Sequence, residues 1–253
     1  MKEETKEEIK NYIVDFVHHL TRGEEFSIDK LRRGYPFHAL FFPDEALVSF
    51  KLERRLVTKM GQEFYPRIAL IIARENYSEA YTDYEVSGEA DEGMINKINR
   101  ILDELRENRR KPNANEEWRE IVASRTHRSI PVKVIADLYI GDFRPGPLFL
   151  EIKSPLPNLD VCERSKKKIL YFKAMNYGRK VEAYLAFPYN PFVYREKYSH
   201  SITGRIMDLE REVLIGKEMW DKIGGKGTYN ELLDLPEEVK EDVRKIIRER
   251  FFC

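Results

Sequence analysis

Val132-Lys-Val-Ile-Ala-Asp-Leu-Tyr-Ile140 and Leu148-Phe-Leu-Glu-Ile-Lys-Ser-Pro155, joined across the turn Arg144-Pro-Gly-Pro147, decide how this chain is read. The first stretch is rich in β-branched and large apolar residues and predicts a strand. Leu148 to Ile152 predicts a second, and the turn makes the two a hairpin-like unit. Asp137 interrupts the first strand; Glu151 and Lys153 interrupt the second. Charges in strands that otherwise read as buried need a reason. Alternation puts residues 151 and 153 on one face and Ile152 on the other. If the strands pair through the turn, Asp137 comes close to Glu151. Two neighbouring carboxylates repel each other and are costly to bury. A divalent cation removes that cost, and Mg²⁺ prefers carboxylate oxygens while keeping several waters. Asp137, Glu151 and the Ile152 carbonyl are therefore the candidate Mg²⁺ ligands. Lys153 would lie beside the attacking water, orienting it or helping to lower its pKa. Together these groups suit in-line attack of water on a phosphodiester. An Asp, a gap and a Glu-x-Lys also arise by chance in many proteins; the strand context gives the pattern its weight.

Outward from this pair, residues 161–177 return to helix, and Val181 to Phe187 is a third, mostly apolar strand, as expected of a buried one. The order strand, strand, helix, strand implies an α/β (α+β) chain, its central mixed sheet flanked by helices. Upstream, residues 3–20 place Ile9, Ile13, Phe16, Val17 and Leu20 on one helical face. A short helix over 27–33 opens at Ser27 and closes before Gly34. A long helical region runs from Pro43-Asp44 to about Arg74, and Pro66 should kink or divide it. Residues 91–109 predict another helix, 109–115 an exposed loop, and 116–123 a further helix with Asn115 as its N-cap. The C-terminal third reads as helical, with Pro236-Glu237-Glu238 opening the last helix. No linker or internal repeat stands out. The expected organisation is one domain over 1–253: a helical N-terminal part over 1–125, a catalytic core over approximately 45–200, and a helical C-terminal part over 200–253.

Basic and acidic side chains balance at 44 each, so no global field draws the chain to nucleic acid. Any DNA binding must come from a local patch. The two cysteines, Cys162 and Cys253, have no neighbours that would make a zinc motif or a disulfide framework. Their scarcity fits a reducing, cytoplasmic setting in a prokaryote. The start, MKEETKEEIK, is too polar for a signal peptide. No apolar run approaches the roughly 18 residues of a membrane span. Charged residues reach 35%, and Gln62 is the single glutamine. Many opposed charges with few amides suggest a thermophilic source. A melting midpoint inside the ordinary range of ~45–65 °C would contradict that.

The pattern resembles the PD-(D/E)XK nuclease superfamily, with Ala136-Asp137 in place of Pro-Asp and Glu151-Ile152-Lys153 as the second half. FKLERRLVTKMGQEFYPRIALIIARE resembles the N-terminal helix of restriction enzymes in that superfamily, with Glu53, Gly61 and Glu63 at the positions that matter. The resemblance implies that Glu53 or Glu63 supports the metal site through water; two solvated helix glutamates are the plainer reading. EIKSPLPNLD, AFPYNPF and VLIGKEMWDKIGGKGTYNELLDL are similar to the TdeIII type II restriction endonucleases, so the likeness spans roughly residues 45–235. It implies a restriction-endonuclease-like core in a homodimer that cuts both strands of a short, near-palindromic site of GGNCC type. A cognate DNA methyltransferase would be its functional companion.

Residues 151–180 carry eight basic and three acidic side chains. Lys166, Lys167, Lys168 and Lys173 follow directly after the Glu151 strand and could hold phosphates, or simply solvate a helix face. Asn158 could reach DNA or cap the following segment. Base reading at a G·C-rich site calls chiefly for arginine or lysine. Candidates are Arg125 and Arg128 in SRTHRS, and Arg195 and Lys197 in YREKYSH. Two other readings stay open. A structure-specific repair nuclease or Holliday junction resolvase would cut branched DNA and give no discrete bands from a plasmid. A DNA-binding protein without catalysis would have no use for all three groups of the acidic pair and lysine.

Overall fold

The computed structural model describes residues 1–251, and Cys253 lies outside them. The chain forms two compact units: Met1–Ile71 with the chain from Gly227 onward, and Ile72–Lys226. The first unit is built of helices α1 (Glu3–Leu20), α2 (Ile28–Gly34), α3 (Pro36–Phe41) and α4 (Asp44–Lys59). A π-helical turn, Met60–Phe64, leads from α4 into α5 (Tyr65–Asn76). The apolar stripe of α1 is buried at Ile9, Ile13, Phe16, Val17 and Leu20, as its spacing predicts. Pro66 has no N–H to offer, and its ring crowds the preceding turn. The widened turn just ahead of it lets the helix continue rather than end.

The second unit contains β1 (Ala80–Asp91), α6 (Glu92–Arg106), α7 (Ala114–Ala123), β2 (Ser129–Ile140) and β3 (Leu148–Ile152). It continues through α8 (Leu159–Met175), β4 (Glu182–Phe187), α9 (Ser201–Ile206), β5 (Val213–Ile215) and α10 (Lys217–Gly224). The strands lie in sequence order in one mixed sheet. β1, β2 and β3 are antiparallel neighbours, whereas β4 and β5 run parallel to β3. Helix α8 is the crossover from β3 to the parallel β4, as parallel pairing requires. It packs across one sheet face, where Phe149 stacks on Phe172 with ring centroids 5.0 Å apart. The alternate residues Leu138, Ile140, Leu148, Leu150 and Ile152 are fully buried on the other face. The chain then returns to the first unit as α11 (Thr228–Glu238) and α12 (Lys240–Phe251), both packed on α1. Among the described residues no helix is long and apolar enough to cross a membrane.

Several boundaries differ from the sequence reading. The part expected to be helical over 1–125 contains β1, and that expected over 200–253 contains β5. Both are edge strands. β1 is mostly exposed and acid-rich, and β5 has three residues, so neither shows the apolar run that marks a buried strand. The N-cap of α7 is Asn113, which accepts from the Glu116 amide at 3.1 Å, not Asn115. Gly34 ends within α2 rather than beyond it. Pro236 lies inside α11, and the last helix begins at Lys240.

Candidate active site

The register of β2 and β3 pairs Leu138 with Leu150 and Tyr139 with Phe149. One step further, Asp137 stands across from Glu151, both on the face that α8 covers. The last residue of β3 is Ile152, and the Lys153 amide still donates to the Ala186 carbonyl of β4 at 3.0 Å. The backbone of the Glu-x-Lys motif is thus fixed from both sides.

Asp137 Oδ2 accepts from the Ile152 amide at 2.7 Å and from Lys153 Nζ at 2.6 Å. Lys153 Nζ also lies 3.0 Å from Glu151 Oε1. A second cation arrives from α8: Lys168 Nζ contacts Glu151 Oε1 at 3.0 Å and Oε2 at 2.8 Å. Glu151 is only 2% exposed. Burial, and then the nearby Asp137, push its carboxyl above the ordinary carboxylate range despite the two lysines. Burial pulls Lys153 down, but Asp137 and Glu151 outweigh it and hold the ammonium above its ordinary value.

The donor set suits a hard cation. Among the described residues no three His, Cys, Asp or Glu side chains form a ready cage. Two facing carboxylates match the way Mg²⁺ binds, since it takes one or two carboxylates and keeps several waters. The crowding of Asp137 and Glu151, here relieved by two lysines, is a charge arrangement that a cation also relieves.

The other expected residues are scattered in role. Lys166 is not at a surface where phosphate could reach it, contrary to the sequence reading. It is 0% exposed, ion-paired with Glu117 Oε2 at 2.7 Å and hydrogen-bonded to Glu212 Oε2 at 2.8 Å. A lysine run on a helix that packs against a sheet must turn one member inward. Lys167 is exposed, with its ammonium 5.2 Å from the Tyr171 ring. Lys173 is half-buried and lines a cleft of about 360 Å³ with Arg179 and Arg211. Asn158 caps α8, accepting from the Val161 amide at 2.9 Å. Arg195 is held by Glu218 at 3.0 Å, and Lys197 stands over Tyr194. Glu53 and Glu63 are both exposed in the first unit, and Glu63 pairs with Lys59.

Arg125 and Arg128 sit in a loop that the structure anchors firmly. The Asp91 carboxylate caps α6 and accepts from the amides of Thr126 (3.0 Å) and His127 (2.6 Å). A Cβ on Gly93 would stand 2.0 Å from the Ser124 carbonyl oxygen, so only glycine allows that approach. Arg125 lies 4.4 Å from the Tyr177 ring, and Arg128 pairs with Glu92 at 3.2 Å. Sequence reasoning missed Asp91 and the bond from Lys168 to Glu151. A capping Asp just before a helix was visible for the first; nothing in spacing marked the second.

The family described as "Type II restriction endonuclease, HinfI" matches residues 1–240. The chain is 32% identical over 210 residues to the type II restriction enzyme HgiCII of Herpetosiphon aurantiacus, covering 81% of this chain and 77% of that protein. It is 31% identical over 216 residues to HgiBI of the same organism, covering 81% and 76%. The type II restriction enzyme MjaII of Methanocaldococcus jannaschii is 27% identical over 234 residues, covering 80% and 62%. No solved structure matches the chain. The class that the sequence resemblance implied, a type II restriction endonuclease, is the class these comparisons return.

Proposed function

Because this chain belongs to the HinfI family of type II restriction endonucleases, we propose that Asp137, Glu151 and Lys153 form its phosphodiester-cleaving centre in the PD-(D/E)XK manner. The enzyme is a site-specific deoxyribonuclease. The observation that carries the proposal is the facing pair Asp137 and Glu151, with Lys153 in contact with both. The oxygens of Asp137 and Glu151, with the Ile152 carbonyl, would hold Mg²⁺. When bound, the cation lowers the pKa of an attached water and offsets phosphate charge. Lys153 orients the attacking water and steadies negative charge beside the two carboxylates. Breakage of the bond to the 3′ oxygen leaves 5′-phosphate and 3′-hydroxyl ends.

Exposed Lys167 and the anchored Arg125 and Arg128 are the cations of the second unit assigned here to DNA contact. The substrate would be a short near-palindromic site of GGNCC type, protected in its host by a cognate methyltransferase. The test is a digest of DNA of known sequence with Mg²⁺, followed by sequencing of the ends. Discrete fragments with 5′-phosphates at one recurring sequence are expected. Cutting confined to branched DNA would overturn the proposal.

A homodimer accounts for cleavage of both strands. Helix α3 supports this reading: Phe37, Leu40 and Phe41 are 78%, 75% and 76% exposed side by side. Large apolar groups clustered at a surface mark an interaction site. Light scattering should give twice the chain mass for the wild type. The double variant Phe37→Asp, Phe41→Asp should give the single mass with the same circular dichroism. A monomeric wild type would sink the dimer.

A further inference from the structure

The cluster around Glu151 contains one cation more than the Glu-x-Lys motif supplies. Lys168 is not a surface lysine that happens to lie nearby. The stack of Phe172 on Phe149 fixes the register of α8 over β3. Lys168 precedes Phe172 by four residues, about one helical turn or ~5–6 Å. Glu151 follows Phe149 by two strand residues, or ~6.5 Å on the same face. Core packing therefore delivers the Lys168 ammonium onto the Glu151 carboxylate. It touches both oxygens, at 3.0 and 2.8 Å. Its neighbour Lys167 faces solvent, and Lys166 faces the core.

With Lys153 and Lys168 in place, two ammonium groups balance two carboxylates. A cation that binds Glu151 must therefore share its oxygens with Lys168 and works against its charge. The geometry points to Lys168 as a built-in competitor for the metal: it holds Glu151 in position while the site is metal-free and weakens metal binding until DNA draws its ammonium away. A phosphate arriving at the site offers Lys168 an alternative anion. Metal and DNA would then bind cooperatively, and that coupling is reciprocal. This inference rests on the metal-site reading of Asp137 and Glu151. Lys168 acts here as a positioning residue.

The test is calorimetric titration of Mg²⁺ into DNA-free protein, which requires no turnover. Lys168→Gln keeps an N–H donor for Glu151 and removes the charge. It should bind Mg²⁺ about tenfold more tightly than wild type. Lys168→Arg keeps the charge and should bind no more tightly than wild type. With a short duplex present and Ca²⁺ as a probe, the gain in cation affinity on adding DNA should be smaller in Lys168→Gln. An affinity in Lys168→Gln equal to or weaker than wild type, with circular dichroism unchanged, would mean Lys168 only ties helix to sheet. If Lys168→Gln does not fold, Lys168→Met read against Lys168→Arg carries the same contrast. Asp137→Ala separates the two readings. Uptake lost in Asp137→Ala but unchanged in Lys168→Gln overturns the competitor alone. Uptake absent in both wild type and Lys168→Gln even with the duplex present, or unchanged in Asp137→Ala, overturns the metal site and the competitor with it.

Discussion

Asp137→Ala is expected to slow DNA cleavage by at least about 10³-fold, equivalent to roughly 4 kcal/mol of transition-state stabilisation, while DNA affinity stays within a few-fold of wild type. The asymmetry follows from what the side chain touches. Asp137 Oδ2 receives the Ile152 amide and Lys153 Nζ, so its loss removes one carboxylate from the proposed cation site and one anchor of the lysine. Neither change takes a positive charge away from the phosphates, which supply most of the affinity for DNA. Removing a carboxylate beside a polyanion lessens repulsion. Stability should change little, because Asp137 lies at the rim of the cluster while Glu151 is buried within it. Single-turnover cleavage of a short duplex in Mg²⁺ gives the first quantity. Binding of the same duplex in the absence of divalent cations gives the second. Cleavage at the wild-type rate would remove Asp137 from the active site. Equal losses of binding and cleavage would assign it to DNA recognition instead.

How far the sequence alone reaches depends on what each residue's neighbours are. Asp137, Glu151 and Lys153 were legible because strand alternation is a local rule, and a two-strand unit joined by a short turn has few possible registers. The structure brings these three together as the alternation requires. Helix α1 was legible from apolar spacing, α4, α5 and α8 as helical stretches, and β4 from its mostly apolar run. β1 was not legible, because one face is exposed and the other, between buried Ala80 and Ala90, is only partly buried and lacks a run of large apolar residues. Nor was the fate of the three consecutive lysines 166–168. Their spacing alone sends them in three directions around α8. Which direction meets Glu117 and Glu212, which meets Glu151 and which meets water depends on pairing partners 15 to 50 residues distant. Composition shows a basic helix; packing assigns its members.

Lys166→Met is accordingly expected to destabilise the protein by about 3–5 kcal/mol, the range for leaving a buried charge without its partner. That is a large share of the ~5–15 kcal/mol typical of a whole domain. Lys166, Glu117 and Glu212 are all 0% exposed. They join α7 and α8 to the residue just before β5. Without the ammonium, two buried carboxylates face each other, and one or both must take up a proton. The pH dependence has a definite sign. Burial, offset in part by Lys166, already raises the Glu117 carboxyl above its ordinary 4.5. A raised carboxyl favours the folded state below its unfolded value, and that contribution is lost as pH rises through the folded value. Removing Lys166 raises the carboxyl further, so the deficit of Lys166→Met should be largest near pH 8 and shrink as pH falls toward 5. Adding Glu117→Gln and Glu212→Gln should recover much of the loss and flatten the pH dependence. Urea unfolding at several pH values measures all of this. The opposite outcome is equally specific. Unchanged unfolding, with a salt dependence of DNA binding shallower by about one unit, would return Lys166 to the phosphates, and the buried triad would not describe this protein.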